Sequence, residues 1–251
     1  MSSKYIYNIL IIALFLSCKP KRLHLNKIEG KRIEINNELN QNDAIETFIN
    51  PYRNHIEKDL DSVLAYAEDT YSKTDGALNT AIGNFMADIV FSEANPIFEK
   101  RTGNSIDAVL LNYGGIRSII PKGPVTSKTA YHVMPFENRI VVVSLKGSTV
   151  NEAVNYLIRS SKAHPISGLN LIIDADNNLL NAKINGENID ADKTYFVATS
   201  DYLYNGGDHM IFFQNNEGVY DLDYKIRNVL IDYLKKTDTI NPVIDDRFIR
   251  K

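Results

Sequence analysis

From residue 45 onward the apolar positions fall at Ile45, Phe48, Ile49, Tyr52, Ile56, Leu60, Val63 and Leu64. Steps of three and four place them on one stripe, which predicts an amphipathic helix that Pro51 starts, kinks or splits. Leu78, Ile82, Phe85, Met86, Ile89 and Val90 repeat that period in a second helix, with Asn79 or Thr80 available to cap its start. The pattern then changes. "DAVLL" (107–111) and the β-branched "RIVVVSLKG" (139–147) read as buried strands. Thr149 and Glu152 have capping-box spacing and predict a helix start, with Val150, Ala153, Val154, Leu157 and Ile158 inside. "LNLIID", "LLNAKIN" and "TYFVATS" lie between Asn, Asp and Gly turns, as meandering antiparallel strands do. Leu222, Ile226, Val229, Leu230, Tyr233 and Leu234 predict a last helix over about 220–235. Helices before, within and after a run of strands make a mixed α+β domain with its sheets largely covered.

With 44% hydrophobic and 24% charged residues, the chain has ordinary globular composition, which argues against disorder. A net charge of −3 with mixed signs offers no basic face, which argues against nucleic acid as a partner. The front end is different in kind. In "MSSKYIYNILIIALFLSCKPKR" a lysine precedes an apolar run from Ile9 to Leu16, too short to span a bilayer and suited to the core of a secretory signal. Ser17 before Cys18 resembles a bacterial lipoprotein box with Phe15 in place of the usual leucine, so Cys18 is a candidate lipidation site. The alternative is a plain signal peptide with an incidental cysteine. Residues 1–18 are therefore read as a signal peptide, 19–42 as a polar tether and 43–251 as the domain with its helical lead-in. The expected location is across the inner membrane, lipid-anchored and facing the periplasm or the cell surface.

Several chemistries find no support. His24, His55, His132, His164 and His209 show no metal-ligand spacing, and each reads as a surface or locally bonded side chain. No nucleophile elbow, P-loop or dinucleotide fingerprint occurs, and Ser118 has no base nearby in sequence. Three other stretches combine glycines, polar groups and aromatics. "NYGGIR" carries Asn112, Gly114, Gly115 and Arg117; "MPFEN" carries Phe136 and Asn138; "DYLYNGGDHM" carries Tyr202, Gly207 and Asp208. Singly, each has an ordinary account as a turn, a core phenylalanine or a solvated aspartate. Together they are the inventory for gripping a nucleoside: rings for the base, carboxylate and amide for hydroxyls and base edge, a guanidinium for an anion. A structural arginine bonding nearby carbonyls is the alternative for Arg117.

The order "NYGGIR … GPVT … MPFEN … LKGSTVNEAV … TYFVATSDYLYNGGD … INPVIDDRF" resembles the C-terminal, substrate-binding domain of the 5′-nucleotidase family, from about Asp43 to the end. The resemblance implies a four-layer α/β/β/α arrangement. It implies that Arg117 faces the substrate phosphate, that Asn112 binds and reaches toward the catalytic centre, and that Phe136 and Tyr202 sandwich the base. It also implies that Asp208 takes the ribose hydroxyls and that Asn138 contacts the base; tyrosine at 202 replaces a more usual phenylalanine. A further family arginine is replaced here by Leu78–Asn79. The family's metal ligands and catalytic His–Asp pair belong to an N-terminal metallophosphoesterase domain that this sequence does not contain. The expectation is therefore a nucleoside- or nucleotide-binding half of a split 5′-nucleotidase. It would hold no cofactor or catalytic residue itself and would be active only with a separate chain carrying divalent metal ions. The alternative is a stand-alone periplasmic nucleoside-binding lipoprotein.

Overall fold

A computed structural model describes residues 24–36, 39–40 and 42–251. The expected signal peptide and Cys18 lie outside the described residues. The chain divides into two units, Met1–Phe48 and Ile49–Lys251. In the first, residues 24–36 run without regular secondary structure and are exposed. Helix α1 (Asp43–Leu60) begins there, where the Asn42 side chain accepts from the backbone N–H groups of Ala44 and Ile45. It continues through Pro51 and buries none of its residues.

The helical spacing overruns the helix. Val63 and Leu64 belong to strand β1 (Val63–Ala67), paired antiparallel with β3 (Gly123–Thr126) and parallel with β11 (Thr239–Ile240). Both partners are far away in sequence, so no local period could announce them. Helix α2 (Ala81–Thr102) opens at Thr80, whose hydroxyl accepts from the Gly83 N–H at 3.1 Å. Of the two candidate caps, Thr80 is the one used. Asn79 turns inward instead, donating to the carbonyls of Asp245 and Phe248 at 3.0 and 3.1 Å. The remaining helices of more than one turn are α3 (Ser127–Val133), α4 (Gly147–Ser160) and α6 (Ile226–Leu234).

Among the described residues there are three sheets, and the largest is the scaffold. Its order is β10 (Gly218–Lys225), β4 (Arg139–Lys146), β9 (Thr194–Ser200), β2 (Ala108–Leu110), β5 (Ile166–Ser167). A second sheet joins β12 (Phe248–Arg250), β6 (Leu169–Ile173), β7 (Leu179–Ile184) and β8 (Glu187–Asn188). Alternate residues of β4 feed two cores. Ile140 and Val142 pack with α2 and α6, whereas Val141 and Val143 pack with α4 and β6. Apolar side chains on both strand faces therefore give the unbroken "IVVV" run that a singly buried strand would lack.

Three expectations are corrected here. "TYFVATS" does not continue the β6–β7 meander but lies between β4 and β2, parallel to β2. Residues 218–225 form strand β10 against β4, so the last helix begins at Ile226 rather than near 220; Leu222 reaches the core from the strand. Helix α4 opens at Gly147, two residues before Thr149, and Lys146 provides no side-chain cap. The first N–H groups of α4 donate instead to the carbonyls of Lys193 and Ala191, at 2.8 and 3.0 Å. Long-range backbone acceptors have taken over what a capping box would have done. Thr149 is buried inside the helix and donates to the Asn215 carbonyl at 3.4 Å.

That junction leaves no room at Gly147, where an added Cβ would stand 1.9 Å from the Asp190 carbonyl oxygen. Gly147→Ala is expected to destabilise the protein by about 1–3 kcal/mol, as overpacking does, lowering the urea midpoint without changing the slope. An unchanged midpoint would show that the 190–193 segment yields freely.

Candidate functional site

Sheet topology brings the three stretches together. β2 and β9 run parallel, with Ala108 beside Val197 and Val109 beside Ala198, so both chains leave the sheet at the same end. After β2 comes the 3-10 turn Tyr113–Gly115; after β9 comes the short helix α5 (Asp201–Tyr204) and the glycine turn. β4 runs antiparallel to β9, with Ile140 opposite Ser200, so the segment that enters β4, residues 135–138, reaches that same end. The Arg139 N–H donates to Asp201 Oδ1 at 3.2 Å and ties this entry to α5.

At that end a cavity of about 290 Å³ is lined by Asn112, Gly114, Gly115, Arg117, Phe136, Asn138, Tyr202 and Asp208. Of the nine candidate binding residues, Gly207 alone does not line it; Gly207 lies against the Tyr202 ring, where a Cβ would stand 2.4 Å from the nearest ring carbon. Phe136 and Tyr202 remain 40% and 44% exposed, so neither ring is a core side chain. The Arg117 guanidinium stands 5.9 Å from the Phe136 ring centre and makes a long 3.4 Å bond to the Gly114 carbonyl. The structural role considered for this arginine therefore exists, but as one weak contact on an otherwise exposed side chain.

Asp208 is the centre of the polar network. Its Oδ2 accepts from Asn112 Nδ2 at 2.8 Å and its Oδ1 from the Tyr202 hydroxyl at 3.0 Å. The Tyr156 hydroxyl donates to its carbonyl at 2.8 Å. That bond to the carboxylate raises the Tyr202 pKa, and burial raises that of Tyr156. The Tyr202 hydroxyl thus adds an anchor for the carboxylate. Each carboxylate oxygen keeps a further lone pair for a ligand hydroxyl.

Sequence reasoning missed four residues around this site. Arg227 on α6, almost fully buried, donates to the carbonyl of Pro135 at 3.2 Å and to that of Phe136 at 3.4 Å. It also pairs with Glu137, and it stands 4.3 Å from the Tyr131 ring centre. Bonds from Arg227 and Lys225 hold the Glu137 carboxyl at about 2. The loop that presents Phe136 is thereby fastened from below. Lys73 donates to the Ile116 carbonyl at 2.8 Å and lies 4.5 Å from the Tyr113 ring centre; burial, then Arg117 and Lys162, lower its pKa. Tyr156 is the third. The fourth is His164, only 3% exposed, whose Nδ1 accepts from the Tyr113 N–H at 3.3 Å. None of these lies in a stretch that reads as a turn motif, and only folding puts them beside one.

The profile of the 5′-nucleotidase C-terminal domain matches residues 58–215. The chain belongs to that family. Among curated relatives it is 25% identical over 227 residues to a 5′-nucleotidase of Vibrio vulnificus, covering 86% of this chain and 38% of that one. It is 30% identical over 184 residues to the trifunctional nucleotide phosphoesterase protein YfkN of Bacillus subtilis, covering 67% of this chain and 12% of that one. Among solved structures, a 5′-nucleotidase precursor from Thermus thermophilus superposes with a TM-score of 0.69 at 23% identity, over 83% of this chain and 42% of that one. The chain thus spans less than half the length of each of these relatives. The family membership and the shared mixed α+β fold agree with the resemblance carried by the three stretches.

Two outcomes follow for the site. His164 has its pKa lowered from 6.5 to about 4, chiefly by burial, with Asp208 pulling the other way and Lys162 adding to the fall. The unfolded chain therefore protonates first as pH drops. Stability is fully present above pH 6.5 and is lost towards pH 4, by an amount of order 3 kcal/mol. His164→Gln is expected to flatten that part of the stability–pH curve, measured by urea unfolding; an unchanged slope would show the histidine is not held neutral. Gly207→Ala is expected to displace the Tyr202 ring from Asp208 and lower the urea midpoint by an amount equivalent to about 1–3 kcal/mol; an unchanged midpoint would show that the ring moves aside freely.

Proposed function

We propose that this chain binds a nucleoside or nucleotide in the 290 Å³ cavity and presents the phosphate to a metallophosphoesterase centre on a separate chain. The observation that carries the reading is the pairing of two half-exposed rings with Asp208, Asn112 and Arg117 around one opening. Phe136 and Tyr202 stack the base; the Asp208 carboxylate takes ribose hydroxyls; Asn138 reaches the base edge; Arg117 faces the phosphate. In this reading divalent metal ions on the partner supply the activated water. The share of this chain is positioning, which brings the phosphate to a fixed place instead of leaving it to collision. Anchoring through Cys18, outside the inner membrane, belongs to the same reading and draws its support from the lipobox-like sequence.

One observation favours a second reading, a stand-alone nucleoside-binding lipoprotein. Leu78 and Asn79 stand where the family often has a further arginine, and both are buried, with the Asn79 amide bound to backbone carbonyls. The phosphate therefore has no grip from that side, and a nucleoside would lose nothing by it.

Calorimetric titration of the purified chain with adenosine and then AMP tests both. Phe136→Ala is expected to weaken adenosine by about 10-fold or more, since stacking is worth about 1–3 kcal/mol per base. AMP binding tighter than adenosine, with the difference removed by Arg117→Ala, supports presentation of a phosphate; equal affinities favour the nucleoside binder. Phe136→Ala without effect would overturn the clamp. A pull-down that captures a metallophosphoesterase, with AMP hydrolysis appearing on mixing, is the expected result for the split enzyme.

A further inference from the structure

Behind the wall formed by Tyr202, Asp208 and Gly114 lies a second cavity, of about 550 Å³. Those three residues line both cavities; Tyr113, Tyr156, Lys162, His164, His209 and the pair Gly206–Gly207 complete the second, and Phe136 takes no part in it. Its volume is that of a small-molecule site.

Beside the Asp208 carboxylate, two of its lining groups are donors with no acceptor among the described residues: Lys162 Nζ and His164 Nε2. Lys162 is exposed, and among the described residues neither it nor the nearby Lys73 is in an ion pair. His164 is neutral, and because Nδ1 accepts from Tyr113, the hydrogen sits on Nε2. That Nε2 is buried and has no partner among the described residues, a rare condition for a buried donor. The Asp208 carboxylate accepts from Asn112 and Tyr202 and makes no hydrogen bond to His164. Tyr156 and Tyr202 both commit their hydroxyls to Asp208, so what they offer a ligand is ring surface. The backbone here is also strained. Asp208 and His209 are consecutive non-glycine residues at φ of 51° and 60°, separated by Gly207 from Gly206 at 89°. Strain of this kind costs of order 1–3 kcal/mol per residue and collects where geometry serves a ligand.

Unpaired donors call for an anion with several acceptor oxygens, and ring surface suits the face of a sugar. We propose that the second cavity is a binding site for a small sugar phosphate, held by Lys162 and His164 against the ring of Tyr156, and separate from the nucleoside cavity. Because Tyr202 and Asp208 form a wall of both, occupation of one cavity alters the other, and the effect is reciprocal.

Ribose 5-phosphate titrated into the purified chain tests this, with adenosine titrated in parallel. The expected result is binding that Phe136→Ala leaves within about 2-fold and that Lys162→Ala weakens by about 10-fold or more, while adenosine is little affected by Lys162→Ala. Ribose and inorganic phosphate are each expected to bind about 10-fold more weakly than ribose 5-phosphate. Lys162 is exposed, so its removal leaves the core intact, and an unchanged thermal midpoint checks this. The proposal is overturned if Phe136→Ala abolishes ribose 5-phosphate binding, because the probe is then in the first cavity. It is also overturned if Lys162→Ala has no effect, if inorganic phosphate binds as tightly, or if no binding occurs. Ribose 5-phosphate binding without adenosine binding would remove the nucleoside reading and leave this one standing.

Discussion

The carboxylate of Asp208 accepts hydrogen bonds from Asn112, after β2, and from Tyr202, after β9, and so joins two turns that are far apart in sequence. Hydrogen bonds to a charged group are worth about 1.5–3 kcal/mol each, enough to offset the positive φ at Asp208 and His209. The geometry tolerates no bulk. A Cβ at Gly115 would stand 2.8 Å from Asn112 Oδ1, and one at Gly207 would strike the Tyr202 ring. Gly115 and Gly207 are required for the close approach of the side chains that meet at Asp208, whereas Gly206 is required for its positive φ.

A second polar device fixes the other side of the opening. The Arg227 guanidinium, nearly out of solvent, spans the carbonyls of Pro135 and Phe136 and the Glu137 carboxylate. A buried charge without partners would be costly, so the 135–137 loop and α6 constrain each other. Phe136 can then stay 40% exposed without collapsing into the core, which a ring on an unsupported loop would tend to do. The two cavities share Tyr202 and Asp208, so a single network sets the shape of both.

Much of the fold was legible because it follows from local chemistry. The α2 stripe, the unbroken apolar run of β4 and the Asn, Asp and Gly turns between strands each announce one element from its own residues. The misreadings share a cause. Val63–Leu64 and the segment from about 220 to 225 read as helical but are strands, because β1 pairs with β3 and β11, and β10 pairs with β4. The capping box at Thr149 is unused because carbonyls some forty residues on satisfy the start of α4. Local propensity lost in each case to backbone pairing over long sequence separation.

By itself the sequence determined the family, the residue types of the nucleoside cavity and the turns that carry them, because glycine pairs, an aromatic after proline and a lone arginine are local features. Only the tertiary structure decided that those turns converge, since that depends on β9 lying parallel to β2 and antiparallel to β4. It alone decided that Arg227 supports the Phe136 loop, and that His164, Lys162 and Tyr156 enclose a second cavity behind Asp208. Side chains that act through space leave no period and no motif in the chain, because what brings them together is the pairing of strands rather than their place in the order of residues.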